Sequence, residues 1–160
     1  MRSNGQSGLA TVEFAIVAGV LLTVIIGIID ISRLYFSVAS LNEATRRGAR
    51  VAAVCQVGDP AIPQMAVFNT SGDAGSSPIV AGLQTQHIDV DYLNENGAPV
   101  ADPAGAGFDL IRYVRIRINA GFELQTVIPG VSQLISLPDF ATTLPRESLG
   151  IPREGAVTPC

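Results

Sequence analysis

The chain of 160 residues has no lysine or tryptophan, one histidine, two cysteines and little charge. Charged residues make up 15% of it, against a usual share of about 25%. All ten basic residues are arginines and the net charge is −4, so the chain lacks the clustered cations that nucleic-acid binding requires. One histidine and two cysteines offer few ligands for a metal or redox centre. We therefore expect no cofactor, no metal site and no nucleic-acid partner.

The same scarcity argues against an enzyme. Because His87 is the only histidine, the chain cannot complete a serine–histidine or cysteine–histidine catalytic pair elsewhere. Asp89 and Asp91 suggest a calcium loop, but Leu93 and Asn94 occupy the positions where that loop needs an oxygen ligand and a glycine. Three further arginines could bind an anion or line the solvent side of a strand: Arg112, Arg115 and Arg117. We expect no catalytic residues.

Apolar residues are abundant and unevenly distributed. They make up 48% of the chain, which excludes a disordered polymer. From Leu9 to Ile29 the only charged side chain is Glu13. About 20 mostly apolar residues are enough to cross a hydrocarbon core of about 30 Å. This run predicts a transmembrane helix at about 9–29. A cleaved secretory signal is the alternative, although Ala39 and Ser40, its nearest small-residue cleavage site, lie well beyond the apolar run.

After Asp30 the apolar and small residues recur at steps of three and four, which is the pattern of an amphipathic helix. The predicted buried face consists of Ile31, Leu34, Tyr35, Val38, Leu41, Thr45, Ala49 and Ala52. No proline precedes Pro60, so we expect one continuous helix over residues 9–54, about 70 Å long. Its first half would be apolar all round and its second half amphipathic.

Two features of the apolar half suggest contacts with other helices. Small residues recur every four positions: Thr11, Ala15, Gly19, Thr23 and Gly27. Such a row would let helix backbones approach closely in lipid. The alternative is that small residues are simply common in membrane helices. Glu13 is costly within an apolar segment. It needs a partner, or it reaches the headgroup boundary.

The segment SGLATVEFAIVAGVLLTVIIGIIDISRLYFSVASLNEATRRGARVAAV, residues 7–54, resembles the TadE/TadF family of pilin-like proteins. That family belongs to the Tad (tight adherence, Flp-type) class of type IV pilus systems. The motif of the class is a glycine, four residues, a glutamate and an aromatic, here Gly8, Glu13 and Phe14. Phe14 stands where the major Flp pilins usually carry tyrosine. The resemblance implies that a prepilin peptidase cuts between Gly8 and Leu9.

The resemblance implies a minor pilin or pseudopilin that takes part in assembly, priming or tip formation of a Tad-type pilus used in surface adherence. Its partners would be the prepilin peptidase, other pilin-like subunits through the N-terminal helix, the inner-membrane assembly machinery and the lipid bilayer. It would be a single-pass protein of the bacterial inner membrane, with an extracytoplasmic C-terminal domain, and would then reach the pilus or cell surface. The alternatives are a membrane-anchored extracytoplasmic binding module that never assembles, and a type II secretion pseudopilin.

Arginine counting opposes this orientation, because most arginines near the span follow it and cytoplasmic flanks are usually the basic ones. The arginines concerned are Arg33, Arg46, Arg47 and Arg50, against Arg2 before the span. Three of the four lie at or beyond the edge of the window of about 15–20 residues in which the rule operates. We therefore give the count less weight than the motif.

The rest of the chain predicts a small antiparallel sheet joined by long loops. Residues 56–82 resemble loop sequence, with a short helical turn at 65–68. Alternation predicts strands from His87 and from Tyr113, the second with Val114, Ile116 and Ile118 facing the helix. Asn96-Gly97 predicts a tight turn. A last edge strand is expected at about 140–149, and a loop or short helix at 127–135.

The expected fold is therefore α+β and pilin-like, with the long helix packed on the sheet. The domain organisation would be a leader at 1–8, the long helix at 9–54 and a small β domain at 55–160. Cys55 and Cys160 could form a disulfide outside the cytoplasm, closing a loop of about 100 residues worth up to roughly 4–5 kcal/mol. We favour this disulfide over the alternative of two unrelated thiols.

Overall fold

The computed structural model describes residues 6–69, 75–124, 138–151 and 160. Its longest element is helix α1 (Gln6–Val54), which has 49 residues without a break. At 1.5 Å per residue the helix is about 70 Å long. The expectation of one continuous helix through residues 9–54 is confirmed. Most of the expected leader lies outside the described residues.

Three antiparallel strands form the sheet, in the order β1–β2–β3. They are β1 (Ile88–Leu93), β2 (Tyr113–Ile118) and β3 (Ala141–Pro145). Ile116 of β2 lies opposite Val90 on one side and Thr142 on the other. The predicted turn after β1 is present, with Gly97 at a φ of 76° that glycine adopts without strain.

The second half of α1 packs on one face of this sheet, as the alternation of β2 predicted. Val114 and Ile116 are fully buried there and contribute to the core of the domain. The helix contributes Leu41, Ala44, Thr45, Gly48, Ala49 and Ala52. Between helix and sheet, the hydroxyls of Thr45 and Thr142 share a hydrogen bond of 2.9 Å. The α+β arrangement is therefore as expected.

Two residues of the predicted buried face are exposed. Ile31 and Tyr35 point away from the domain, whereas Leu34 and Val38 are partly buried and the later members of the face are fully buried. The prediction was wrong at these two positions because the buried stripe of α1 follows Leu34, Val38 and Leu41. Ile31 and Tyr35 lie on the neighbouring stripe, which the described part of the domain does not cover at this end of its contact with α1.

The segment after α1 is more regular than its loop-like composition indicated. Helix α2 (Ala61–Ala66) follows Pro60, and it begins four residues before the expected helical turn. The Asp59 carboxylate accepts a hydrogen bond of 2.8 Å from the Ala61 N–H, so it satisfies one of the free donors at the helix start. Ile62 and Ala66 then pack into the core.

The last strand is shorter than expected. β3 ends at Pro145 and lies at the sheet edge, where a proline is tolerated because the edge needs no donor. Residues 147–150 leave the sheet and bond to the end of α1 instead. The loop or short helix expected at 127–135 lies outside the described residues.

Candidate functional site

The first half of α1 is an apolar helix that the rest of the described chain leaves uncovered. Only 6% of its most apolar stretch of 18 residues is buried. By length and composition this helix could cross a membrane, and it is the one helix of the described residues that could. A core helix of similar composition would be mostly buried. The first half of α1 is therefore an exposed apolar surface within the part of the chain that the structure describes.

The residues of the expected processing and assembly motif all lie on this exposed half. Gly8 and Leu9 are exposed, and no other part of the described chain lies close to Gly8. Glu13 and Phe14 also project outward. The structure thus presents the motif but gives it no built pocket.

The row of small residues is exposed as well from Thr11 to Thr23, and Gly27 at its end is half-buried. Space is open beside Gly19, and also beside Gly27 where the row ends. The Thr23 hydroxyl donates 2.9 Å to the carbonyl of Gly19, so within the row it needs no outside acceptor. Positions four apart advance about 40° per step, so the row from Thr11 to Gly27 winds obliquely along the helix. A helix packed along such a row crosses at an angle, as in right-handed membrane pairs near −40°.

Burial along α1 begins abruptly at Asp30. Its side chain is 6% exposed, although Ile29 and Ile31 on either side of it are mostly exposed. From this point upward one face of the helix is covered. The domain therefore meets the helix at the level where the apolar run ends.

The other end of α1 is held by a segment distant in sequence. The N–H groups of Glu147 and Leu149 donate to the carbonyl of Ala53 at 3.0 and 3.3 Å. The N–H of Gly150 and the hydroxyl of Ser148 both donate to Val54. These bonds satisfy carbonyls that every helix end leaves without partners. We call residues 147–150 the C-terminal strap.

A disulfide joins Cys55, directly after α1, to Cys160. Their Cα atoms are 5.6 Å apart, and Cys55 is buried in the core. The Cys160 N–H donates 3.0 Å to the carboxylate of Asp59. The disulfide that the sequence favoured is therefore present, and together with the strap it fastens the chain end to the top of the helix.

The outer face of the sheet carries paired charges rather than a ligand site. Arg115 donates from two nitrogens to Asp91 at 2.9 and 3.1 Å. Arg117 lies 3.2 Å from Asp91 and 3.5 Å from Asp89. The described residues contain no group of metal-binding side chains, and these carboxylates already have cationic partners. The calcium and anion interpretations thus gain no support from this face.

Among the described residues of the domain, Tyr92 has a perturbed environment. Burial raises the pKa of the Tyr92 hydroxyl above its ordinary value near 10. The Gly58 N–H donates to it at 3.4 Å and opposes the rise, while the nearby charge of Asp59 adds to it. Tyr92 is a buried core residue of β1, so this shift bears on stability.

Residues 8–50 match the model of the family described as TadE-like protein. The N-terminal helix is TadE-like. The match lies entirely within α1 and includes the motif glycine, the motif glutamate and the small-residue row. The TadE-like match associates the chain with Tad pilus systems. No curated protein and no solved structure matches the chain.

Sequence reasoning missed the strap and the low edge of the domain. The strap joins residues that are 94 apart in the chain, and no local pattern marks such a pairing. The start of α2 did carry a signal, since Asp-Pro commonly precedes a helix. The sequence signal for the burial of Asp30 was weaker, since Asp30 is only a charged residue at the end of an apolar run.

Proposed function

We propose that this chain is a minor pilin or pseudopilin of a Tad-type pilus system. Residues 1–8 would form a leader, residues 9–54 a long helix that spans the membrane at about 9–29, and residues 55–160 a small extracytoplasmic domain. The observation that carries this proposal is the contrast along α1, where a helix packed in the domain continues into an uncovered apolar half. The TadE-like match over that half supports it.

The uncovered half needs an apolar environment. Exposed apolar surface costs roughly 25 cal/mol per Å² in water, so a bare helix of this kind is unfavourable there. Lipid provides that environment before assembly, and neighbouring helices provide it within a filament. The domain meets the helix from Asp30 upward, which leaves 9–29 clear for the bilayer.

Cleavage between Gly8 and Leu9 would create a free ammonium group on Leu9. Glu13 lies about one helical turn away and can pair with that ammonium or with the one on a neighbouring subunit. Phe14 and the small-residue row lie beside this group on the same exposed half. The row would let a second helix come close enough for the intermolecular pair.

The test is assembly with Glu13→Gln, which removes the charge and preserves the shape. We expect membrane insertion and cleavage to remain, co-purification with other pilin-like subunits to fall several-fold, and pilus output to drop. Glu13→Asp should be intermediate because its charge remains but its reach shortens. Glu43→Gln is the matched control, since Glu43 is an exposed glutamate of the same helix within the domain half.

Unchanged assembly by Glu13→Gln would contradict this role. The chain would then be better described as a single-pass anchor for an extracytoplasmic binding module. Co-purification with type II secretion subunits instead of Tad subunits would move the chain to that system.

A further inference from the structure

Exposed apolar surface continues on α1 beyond the predicted span. Ile31, Tyr35 and Phe36 are 67%, 79% and 57% exposed. Above Phe36 this surface stops, and the next large apolar residue exposed on the helix is Val54. The helix thus has an apolar segment that ends at residue 29, and exposed apolar residues continue beyond it to residue 36; we call residues 31–36 the collar.

The position of the collar can be compared with the dimensions of a bilayer. Residues 9–29 rise about 30 Å, which is the thickness of the hydrocarbon core. With Leu9 at one hydrocarbon boundary, residues 31–36 lie about 3–10 Å beyond the opposite boundary. The headgroup layer on that side is about 5–8 Å thick, and the average tilt of a membrane helix, about 20°, lowers the top of the collar by about 2–3 Å. Residues 31–36 therefore extend through the headgroup layer on the opposite side.

The exposed apolar side chains of the collar span about 140° of the helix circumference, and Arg33 widens this exposed side to about 200°. At about 100° per residue, Ile31 and Arg33 lie about 200° apart, with Tyr35 and Phe36 between them. The remaining side is the one that the domain covers, beginning at Asp30. A single packed helix would contact one face only, whereas lipid headgroups contact every uncovered side.

The underside of the domain extends the same surface. Ile79 is 46% exposed and lies with Arg33 and Phe36 around a cleft of about 260 Å³. Arg33 is exposed and has no carboxylate within ion-pair distance among the described residues. The cleft therefore combines apolar walls with a cation that has no protein counter-ion there.

We propose that Ile31, Arg33, Tyr35, Phe36 and Ile79 form an interfacial surface that contacts phospholipid headgroups on the domain side of the membrane. Tyrosine is enriched at this depth because its ring has an apolar body and a polar tip. Arg33 contacts phosphate oxygens, for which guanidinium is well suited. The surface holds the base of the domain on the bilayer and fixes the depth of the helix. This inference rests on the proposed membrane span.

The test uses fluorescence depth measurement, which the absence of tryptophan from the chain makes clean. Three single-tryptophan variants of the full chain are reconstituted in phosphatidylcholine–phosphatidylglycerol vesicles: Val20→Trp, Tyr35→Trp and Asn42→Trp. Val20 and Asn42 are both exposed, the first in the middle of the span and the second about 10 Å above Tyr35. Lipids carry a nitroxide near the headgroup or near the chain end, and iodide reports exposure to water.

We expect the deep nitroxide to quench Val20→Trp most strongly and the shallow nitroxide to quench Tyr35→Trp most strongly. Asn42→Trp should be quenched chiefly by iodide. If Tyr35→Trp behaves like Asn42→Trp while Val20→Trp is quenched by lipid, the span stands and the interfacial surface is wrong. If lipid does not quench Val20→Trp, the proposed span itself fails. Quenching of Tyr35→Trp that falls as protein is added at fixed lipid shows that a second copy covers the surface, which also overturns the inference.

Discussion

Gly48 allows the close approach of α1 to the rest of the domain. A Cβ at this position would lie 2.8 Å from the Cβ of Ala66 in α2 and 3.3 Å from a methyl of Ile116 in β2. The Cβ of alanine has no rotamer by which it can move away, so the two helices must separate. Glycine in mid-helix costs about 1 kcal/mol in propensity, which this contact outweighs.

We therefore predict that Gly48→Ala lowers the unfolding free energy by about 1–2 kcal/mol despite its better helix propensity. Urea unfolding of the full chain in detergent micelles, followed by circular dichroism, measures the change. Gly48→Ala combined with Ala66→Gly should lose less stability than the two single changes added together. Strict additivity, or stabilisation by Gly48→Ala alone, would show that helix and core do not meet as described.

Tyr92 makes the domain sensitive to alkali. Its folded pKa is raised by burial, so above pH 10 the unfolded chain releases this proton while the folded chain keeps it. The stability that depends on neutral Tyr92 is therefore complete below pH 10 and lost as the pH rises above it. Because the chain has no lysine, its tyrosines are the side chains that titrate in this range.

The prediction is a fall in unfolding free energy between about pH 9 and pH 11 that is smaller in Tyr92→Phe. Tyr113→Phe is the matched control, since Tyr113 is a partly exposed tyrosine of the same sheet. Unfolding midpoints in urea at a series of pH values give both curves. Equal slopes for the wild-type chain and Tyr92→Phe would contradict the assignment.

At the scale of elements, the strap completes the end of α1. Gly150 has a φ of 79°, and a Cβ there would lie 2.9 Å from backbone atoms of Gln56. Gly97 has a similar φ of 76° in the turn after β1, with open space around it. A side chain at either position would therefore have the cost of a positive φ, but only at Gly150 would it also collide with Gln56.

Gly97→Ala should cost about 1 kcal/mol and Gly150→Ala at least twice as much. The extra loss arises because Gly150 must move away from Gln56 and weaken its hydrogen bond to Val54. Hydrogen exchange of the last turn of α1 should quicken in Gly150→Ala and stay unchanged in Gly97→Ala. Equal losses in stability would mean that the strap does not support the helix.

At the scale of the whole molecule, periodicity determined most of what could be predicted. The first half of the long helix follows from its apolar run and the second half from steps of three and four, while β2 follows from strict alternation. The pairing of Cys55 with Cys160 was favoured because these are the only two cysteines in the chain. Each of these signals can be read from residues close together in the chain or from the number of residues of one type.

The remaining features depend on how elements meet in space. The exposure of Ile31 and Tyr35 depends on which stripe of the helix the domain covers near its lower edge. The sequence does not reveal this, because residues 31 and 35 fit the apolar periodicity whether or not they are covered. The strap reaches the end of α1 from residues 147–150, far from it in sequence. Candidate assembly residues such as Glu13 were identifiable from the motif, while their freedom from the domain required the structure.

The account as a whole depends on where the mature chain begins. If the uncovered half of α1 belongs to a processed pilin-like subunit, the host peptidase must cut between Gly8 and Leu9. Intact mass spectrometry of the chain from host membranes tests this directly, with Gly19→Ala as a control that makes the same change farther along the exposed helix. We predict a mature chain that starts at Leu9, slower cleavage in Gly8→Ala and normal cleavage in Gly19→Ala. A chain that retains Met1, or one that is cut beyond the apolar run near Ala39, would contradict the account.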